Sequence, residues 1–160
     1  MTPTPTSVAL EITVEVPVEH AFATFTERFD DIKPREHNLL AVPIERTVLE
    51  PREGGTIHDV GTDGSICTWS RVLAYEPPRR LVFSWDIGPT WQLETDPDRC
   101  SEVEVTFTAV RPEQTLVALE HRHLDRHGDG WEGLTSLGAG AGWPLYLSRY
   151  EDLTAANPVS

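Results

Sequence analysis

Two histidines at the end of the last predicted strand are the residues whose type and spacing point most directly to chemistry. One residue separates His121 from His123, so strand alternation places both imidazoles on one side of the strand. With His127 or His58 as a third ligand, such a set would suit zinc or iron. A metal site ordinarily adds a carboxylate or a further imidazole and residues that orient each ring, and the sequence shows neither. We therefore predict no metal, and expect His121 and His123 to be hydrogen-bonded residues near a pocket mouth.

The same histidines support an enzyme hypothesis, in which one of them is a general acid or base. Asp59, Asp86 or Glu120 would then orient the imidazole, and tryptophans would hold an apolar substrate. The sequence contains no GxSxG, HExxH or phosphate-binding loop, and neither cysteine lies in a catalytic motif. We therefore keep the enzyme as an alternative and assign no catalytic residue.

Large apolar side chains form the second set of candidate site residues. They recur on the apolar faces of the predicted strands and helices, where they would line an apolar cavity, and plain core packing is the alternative for some of them. The predicted ligand-binding residues are Phe22, Phe25, Phe29, Trp69, Phe83, Trp85, Phe107, His121, His123, Trp143, Leu147 and Tyr150.

The orientation of Arg71 stays open. If Cys67 and Trp69 face the cavity, alternation turns Arg71 inward as well, where its guanidinium would need an anionic partner. If Ile66 and Val72 are inside instead, Arg71 lies on the surface, which is the more usual place for arginine.

The elements that position these residues follow from hydrophobic periodicity. A period of two over residues 8–16 predicts a first strand, and apolar residues at helical spacing from Val18 to Phe29 predict a helix, followed by an irregular stretch after Pro34. Residues 44–124 alternate between glycine- or proline-rich turns and apolar runs, which predicts an antiparallel meander. The helical period returns after Gly128, and the last helix is expected from about residue 143 to residue 155.

This order predicts an α+β domain with a curved antiparallel sheet of six to seven strands. The sheet wraps around a long C-terminal helix, with two short helices after the first strand and a cavity between sheet and helix. We expect one domain over residues 8–155, a disordered Pro/Thr-rich tail over 1–7 and a C-terminal tail over 156–160.

Composition narrows the classes of partner. Thirteen Lys and Arg against 26 Asp and Glu give a net charge of −13, which repels nucleic acid and anionic membrane surfaces. The N-terminal residues lack the features of a signal peptide, so we expect a cytoplasmic protein with free thiols at Cys67 and Cys100. A homodimer formed through a sheet edge or a helix is compatible with the sequence.

Three motifs in fixed order carry a family resemblance. Gly54-Gly55 opens a hairpin, Pro77-Pro78 precedes an apolar strand ending at Trp85, and Gly142-Trp143 enters the last helix, with SEVEVTF and LEHRHLDRHGDGW between them. Over residues 12–153 the chain resembles the START-like, or SRPBCC, superfamily in its branch named after the activator of Hsp90 ATPase homologue 1. The resemblance implies a helix-grip fold with a hydrophobic pocket. Members bind lipids, polyketides or hormones, and some catalyse cyclisations or hydrolyses.

The chain departs from the family pattern in one segment. Close relatives often carry paired tryptophans before the proline that follows the first helix, where this chain has Ile32-Lys33-Pro34, so one pocket wall is expected to be less aromatic. Co-chaperone action in the founding proteins uses an additional N-terminal domain, for which 160 residues leave no room. We predict binding of a small apolar molecule without a cofactor. The alternatives are an enzyme that uses a pocket histidine and a chaperone-associated or other protein-interaction module.

Overall fold

A curled seven-stranded antiparallel sheet and a C-terminal helix make up most of the computed structural model, which describes residues 5–140 and 142–156. The strands are β1 (Val8–Val14), β2 (Ile44–Leu49), β3 (Thr56–Gly61), β4 (Ile66–Glu76), β5 (Arg80–Trp85), β6 (Ser101–Arg111) and β7 (Gln114–Arg122). The helices are α1 (Val18–Glu27), α2 (Phe29–Ile32) and α3 (Trp143–Ala156), with short 3₁₀ segments at Pro97–Arg99, Leu124–His127 and Trp131–Gly138. The predicted helix-grip fold is confirmed.

The strand order is β1-β7-β6-β5-β4-β3-β2, so the first strand pairs with the last and the rest form a meander. The alternation expected from the sequence is clearest in β7, where Thr115, Val117, Leu119 and His121 are buried and the residues between them are half-buried. Cross-strand neighbours lie on the same face of a sheet, so the pairs Val8–His121 and Val103–His121 set His121 among the inward-facing residues.

A β-bulge in β4 decides the orientation of Arg71. Ser70 lies opposite Ile57, whereas Thr68 lies opposite His58, so one extra residue of β4 interrupts the alternation. Trp69 and Val72 are therefore both in the core, and neither of the two simple registers considered for this strand applies throughout. Arg71 lies on the outer face, where its Nε and Nη2 each donate to a carboxylate oxygen of Asp86 at 3.1 Å.

The entry to α3 depends on a glycine. A Cβ atom built on Gly142 would lie 2.2 Å from the carbonyl oxygen of Leu137, so no other residue fits there without moving the backbone. The next residue, Trp143, begins the helix, and Trp143, Tyr146, Leu147 and Tyr150 form its buried face. Tyr150 also donates its hydroxyl to the carbonyl of Ala21 at 2.7 Å, which joins α3 to α1.

The ends of the chain are described in part. Residues 1–4 and 157–160 of the two predicted tails lie outside the described residues. Within the N-terminal segment, the carbonyl of Thr6 accepts a hydrogen bond from the amide of Leu124 at 2.9 Å. No helix in the described part of the chain is long and apolar enough to cross a membrane.

Candidate functional site

A cluster of aromatic side chains fills the space between the concave face of the sheet and the helices. Its rings meet mostly edge to face, with centroids 5.1 Å apart for Phe22 and Phe107 and 5.4 Å apart for Trp85 and Trp143. Such contacts add about 0.5–1.5 kcal/mol per pair beyond area burial. The cluster comprises Phe22, Phe25, Phe29, Trp69, Phe83, Trp85, Phe107, Trp143, Tyr146 and Tyr150.

Eleven of the twelve predicted site residues are buried in this interior: Phe22, Phe25, Phe29, Trp69, Phe83, Trp85, Phe107, His121, Trp143, Leu147 and Tyr150. Their burial fits both a ligand pocket and a packed core, so their role in binding stays a prediction.

The twelfth residue, His123, corrects the sequence interpretation. Strand β7 ends at Arg122, and His123 adopts a left-handed conformation with φ 62° that starts the following 3₁₀ turn. The alternation therefore stops before His123, whose side chain is 45% exposed and lies 3.9 Å from the carboxylate of Glu102. His121 and His123 do not share a face.

His121 is held by a chain of hydrogen bonds whose direction follows from the chemistry of its first donor. The indole N–H of Trp143 can only donate, and it donates to Nδ1 of His121 at 3.1 Å. Neutral His121 therefore carries its proton on Nε2, which donates to Oγ of Ser101 at 2.7 Å. The Ser101 hydroxyl then donates to Nε2 of His127, also at 2.7 Å. This series of hydrogen bonds fixes the rings of Trp143, His121 and His127 relative to one another.

The environment of His121 argues against the acid–base role considered for it. Burial lowers its pKa to about 3, with a smaller contribution from His127, so the imidazole is neutral near pH 7. Trp143 and Ser101 orient it, and no carboxylate among residues 5–140 and 142–156 does so. Asp59 is bonded to Lys33 and Asp86 to Arg71.

The histidines considered from the sequence are not arranged as a set of metal ligands. Both ring nitrogens of His121 are engaged, and the side chain of His58 lies beside Thr56 on β3, with 3.0 Å between Nδ1 and Oγ1. The described residues contain no group of three or more His, Cys, Asp or Glu side chains placed to bind a metal ion.

A second polar group is buried at the segment that departs from the family pattern. Lys33 donates to Oδ2 of Asp59 at 2.9 Å and to the carbonyl of His37, and its Nζ lies 5.7 Å from the centroid of Trp69. The other oxygen of Asp59 accepts from Thr47 at 2.7 Å and from the Trp69 indole at 3.3 Å. Burial lowers the pKa of Lys33, and Asp59 opposes that shift. The expected weaker aromatic wall thus contains a buried ion pair.

At one end of the aromatic cluster, five rings form a closed circuit. Starting from Trp85, the centroid distances are 6.5 Å to Trp91, 5.8 Å from Trp91 to His37, 5.9 Å from His37 to Tyr146, 4.6 Å from Tyr146 to Trp143, and 5.4 Å back to Trp85. We call these residues the five-ring circuit. Trp91 is 46% exposed and His37 half-buried, so the circuit reaches the protein surface.

Sequence reasoning missed His37, Trp91 and Tyr146. His37 and Trp91 lie in irregular segments, where no periodicity reports which way a side chain points. Trp91 has a left-handed backbone with φ 60°, which is uncommon for a bulky residue. Tyr146 carried a usable signal, because it follows Trp143 by three residues on the buried face of α3. The Tyr146 hydroxyl lies 3.4 Å from Nδ1 of His37. Burial raises the pKa of this hydroxyl, which keeps it protonated.

The sequence match that decides the family covers most of the chain. The model of the family described as activator of Hsp90 ATPase homolog 1-like protein matches residues 15–154. The chain belongs to this family. The family lies in the START-like (SRPBCC) superfamily, as the sequence resemblance indicated. No curated protein matches the chain.

Solved structures agree with this assignment. The chain is 35% identical to an anthrahydroquino-gamma-pyrone synthase, Txn09, solved in complex with a ligand given as SUM, with 95% and 99% of the two chains covered and a TM-score of 0.64. It is 27% identical to the self-sacrificing resistance protein CalC from Micromonospora echinospora, with 98% of each chain covered and a TM-score of 0.68. Protein MLL2253 from Mesorhizobium loti shares the fold at 19% identity, with 96% and 99% covered and a TM-score of 0.66.

Proposed function

We propose that this family member is a cytoplasmic protein that binds a planar polycyclic aromatic molecule of the anthraquinone or anthrahydroquinone class, at the five-ring circuit. The observation that carries the proposal is the circuit itself. Rings from β5, two loops and α3 meet at the surface end of the aromatic cluster, and flat aromatic ligands gain most from stacked and edge-on ring contacts. The ligand class comes from the name of the synthase that is 35% identical.

Binding at this place requires one ring to move. The five rings contact one another in the structure, and Trp91 is the exposed member of the circuit. Its left-handed backbone is disfavoured by about 1–2 kcal/mol relative to ordinary conformations. Displacing Trp91 outward therefore opens the circuit at a low cost and leaves Trp85, Trp143 and Tyr146 as the inner walls. The displaced Trp91 ring then packs on the outer side of the ligand, so it contributes to binding.

Tryptophan fluorescence tests the proposal, because three of the five tryptophans lie in the circuit. Titration with 2-(hydroxymethyl)anthraquinone, a neutral probe, is expected to quench the emission with a saturable, one-site curve. Trp91→Ala should weaken binding, whereas Trp131→Phe, outside the circuit, should not. Linear quenching that matches free tryptophan would contradict the proposal.

One contact favours a second candidate function, acid–base conversion of the bound molecule. The Tyr146 hydroxyl and Nδ1 of His37, 3.4 Å apart, are the titratable groups within the circuit. A protonated phenol beside an imidazole suits proton transfer to and from a phenol or ketone of the ligand. Incubation of an anthrahydroquinone whose side chain carries an alkynyl ketone should then give a cyclised isomer of unchanged mass and altered retention: the phenol oxygen adds to the alkyne carbon, one C–C π bond is broken and the phenol proton moves to the neighbouring carbon. His37→Phe should abolish this product. An unchanged substrate would remove the enzyme candidate while leaving the binding proposal in place.

A further inference from the structure

Trp85 carries a buried N–H group without an acceptor in the described chain. Its side chain is 1% exposed, and Nε1 finds no hydrogen-bond partner among residues 5–140 and 142–156. The neighbouring indoles differ, since Trp69 donates to Asp59 at 3.3 Å and Trp143 donates to His121 at 3.1 Å. An indole N–H can only donate, and buried donors in native proteins are nearly always paired. Phenylalanine, although smaller, carries no such donor, so the unpaired N–H of Trp85 points to an acceptor from outside the chain.

The surroundings of Trp85 narrow the source of that acceptor. Its ring contacts Trp69, Trp143 and His121 at centroid distances of 5.4–5.6 Å. Both nitrogens of His121 are already engaged, and Trp69 and Trp143 are themselves donors. On another side lies Trp91, 46% exposed and 6.5 Å away between centroids. Trp85 is therefore one ring away from solvent, on the side where displacement of Trp91 would admit a ligand.

We propose that the Trp85 indole is the specificity-determining donor of this site, where it donates a hydrogen bond to a carbonyl or phenol oxygen of the bound polycycle. The site then selects quinones and hydroquinones over a bare hydrocarbon of the same shape. This inference rests on the proposed function, because it names the ligand atom that the five-ring circuit recognises.

A matched pair of ligands isolates this hydrogen bond. 2-(Hydroxymethyl)anthraquinone and 2-(hydroxymethyl)anthracene share three fused rings and one substituent, and only the former has ring carbonyls. The expected result is about tenfold tighter binding of the quinone by the wild-type protein, the usual effect of leaving one buried donor unpaired. Trp85→Phe should reduce that ratio to about one, and Trp131→Phe should preserve it.

The outcomes separate the inference from the proposed function. Equal affinities for the two ligands in the wild-type protein would overturn the inference alone, as when a buried water satisfies Trp85. A quinone preference that survives in Trp85→Phe would overturn it too, by assigning selection to another donor. Binding of neither ligand would overturn the proposed function itself.

A second measurement keeps the inference testable if Trp85→Phe does not fold. In wild-type protein with ¹⁵N-labelled tryptophan, the quinone should move the Trp85 indole proton downfield, and the anthracene should not. The same shift with both ligands would contradict the inference.

Discussion

Acidification should destabilise the protein through His121. The buried imidazole has its pKa lowered to about 3, whereas an unfolded chain protonates histidine near pH 6.5. Below pH 6.5 the unfolded state therefore takes up a proton that the folded state refuses, and stability is lost as pH falls toward 3. At pH 5 this difference amounts to roughly 2 kcal/mol for one histidine. Burial lowers the pKa of His127 as well, so its contribution has the same sign.

Urea unfolding at pH 7.5 and pH 5.0, followed by tryptophan fluorescence, measures this loss. The wild-type unfolding free energy should fall by at least about 2 kcal/mol between the two conditions. In His121→Gln, whose amide can still accept from Trp143 and donate to Ser101, the fall should be smaller by about that amount. His123→Gln is the matched control, because its ring lies at the surface. An equal fall in His121→Gln and wild type would refute the reasoning, whatever the absolute stability of the variant.

Three further predictions concern the ion pair, the thiols and the exposed tryptophan. Asp59→Ala leaves the Lys33 ammonium buried without its charge partner, so the free energy of unfolding measured in urea should fall by about 3–5 kcal/mol. Adding Lys33→Met should recover part of this loss. Equal stabilities of the single and double variants would disprove the prediction. Burial raises the pKa of the Cys67 thiol, and burial together with Asp86 raises the pKa of the Cys100 thiol to about 12. Mass spectrometry should therefore show that iodoacetamide at pH 8 labels neither thiol in the folded protein and both in urea. Rapid labelling of the folded protein would contradict this. In a fluorescence titration, Trp91→Ala should weaken quinone binding about three- to tenfold, and it should change the free energy of unfolding by less than about 1 kcal/mol. An unchanged affinity would exclude the Trp91 ring from the site.

The sheet and the last helix were predictable because each has a strong local period. In β7 the alternation correctly predicted which residues are buried as far as His121. In α3 the helical spacing of the apolar residues from Trp143 to Tyr150 predicted its buried face. The pattern was wrong or left alternatives open where the period ends or is interrupted. His123 lies one residue past the end of β7, and the bulge beside Trp69 changes the face on which later residues of β4 lie.

The candidate site was less predictable because its parts meet only in three dimensions. His37, Trp91 and Tyr146 come from a loop, a second loop and a helix, and no local pattern connects them. The same holds for Lys33 and Asp59, which are 26 residues apart in the chain. The resemblance predicted a departure from the family pattern at Lys33, and only the fold shows that the partner of Lys33 is a buried carboxylate.

A crystal structure of the protein with 2-(hydroxymethyl)anthraquinone would show whether the ligand binds at the five-ring circuit. We expect the three rings of the ligand to lie against Trp85, Trp143 and Tyr146, with the Trp91 side chain moved outward from its present contact with Trp85. Ligand bound on the outer face of the sheet, in the depression lined by Glu11 and Glu120, would contradict it. So would an unchanged five-ring circuit in crystals of a complex that forms in solution.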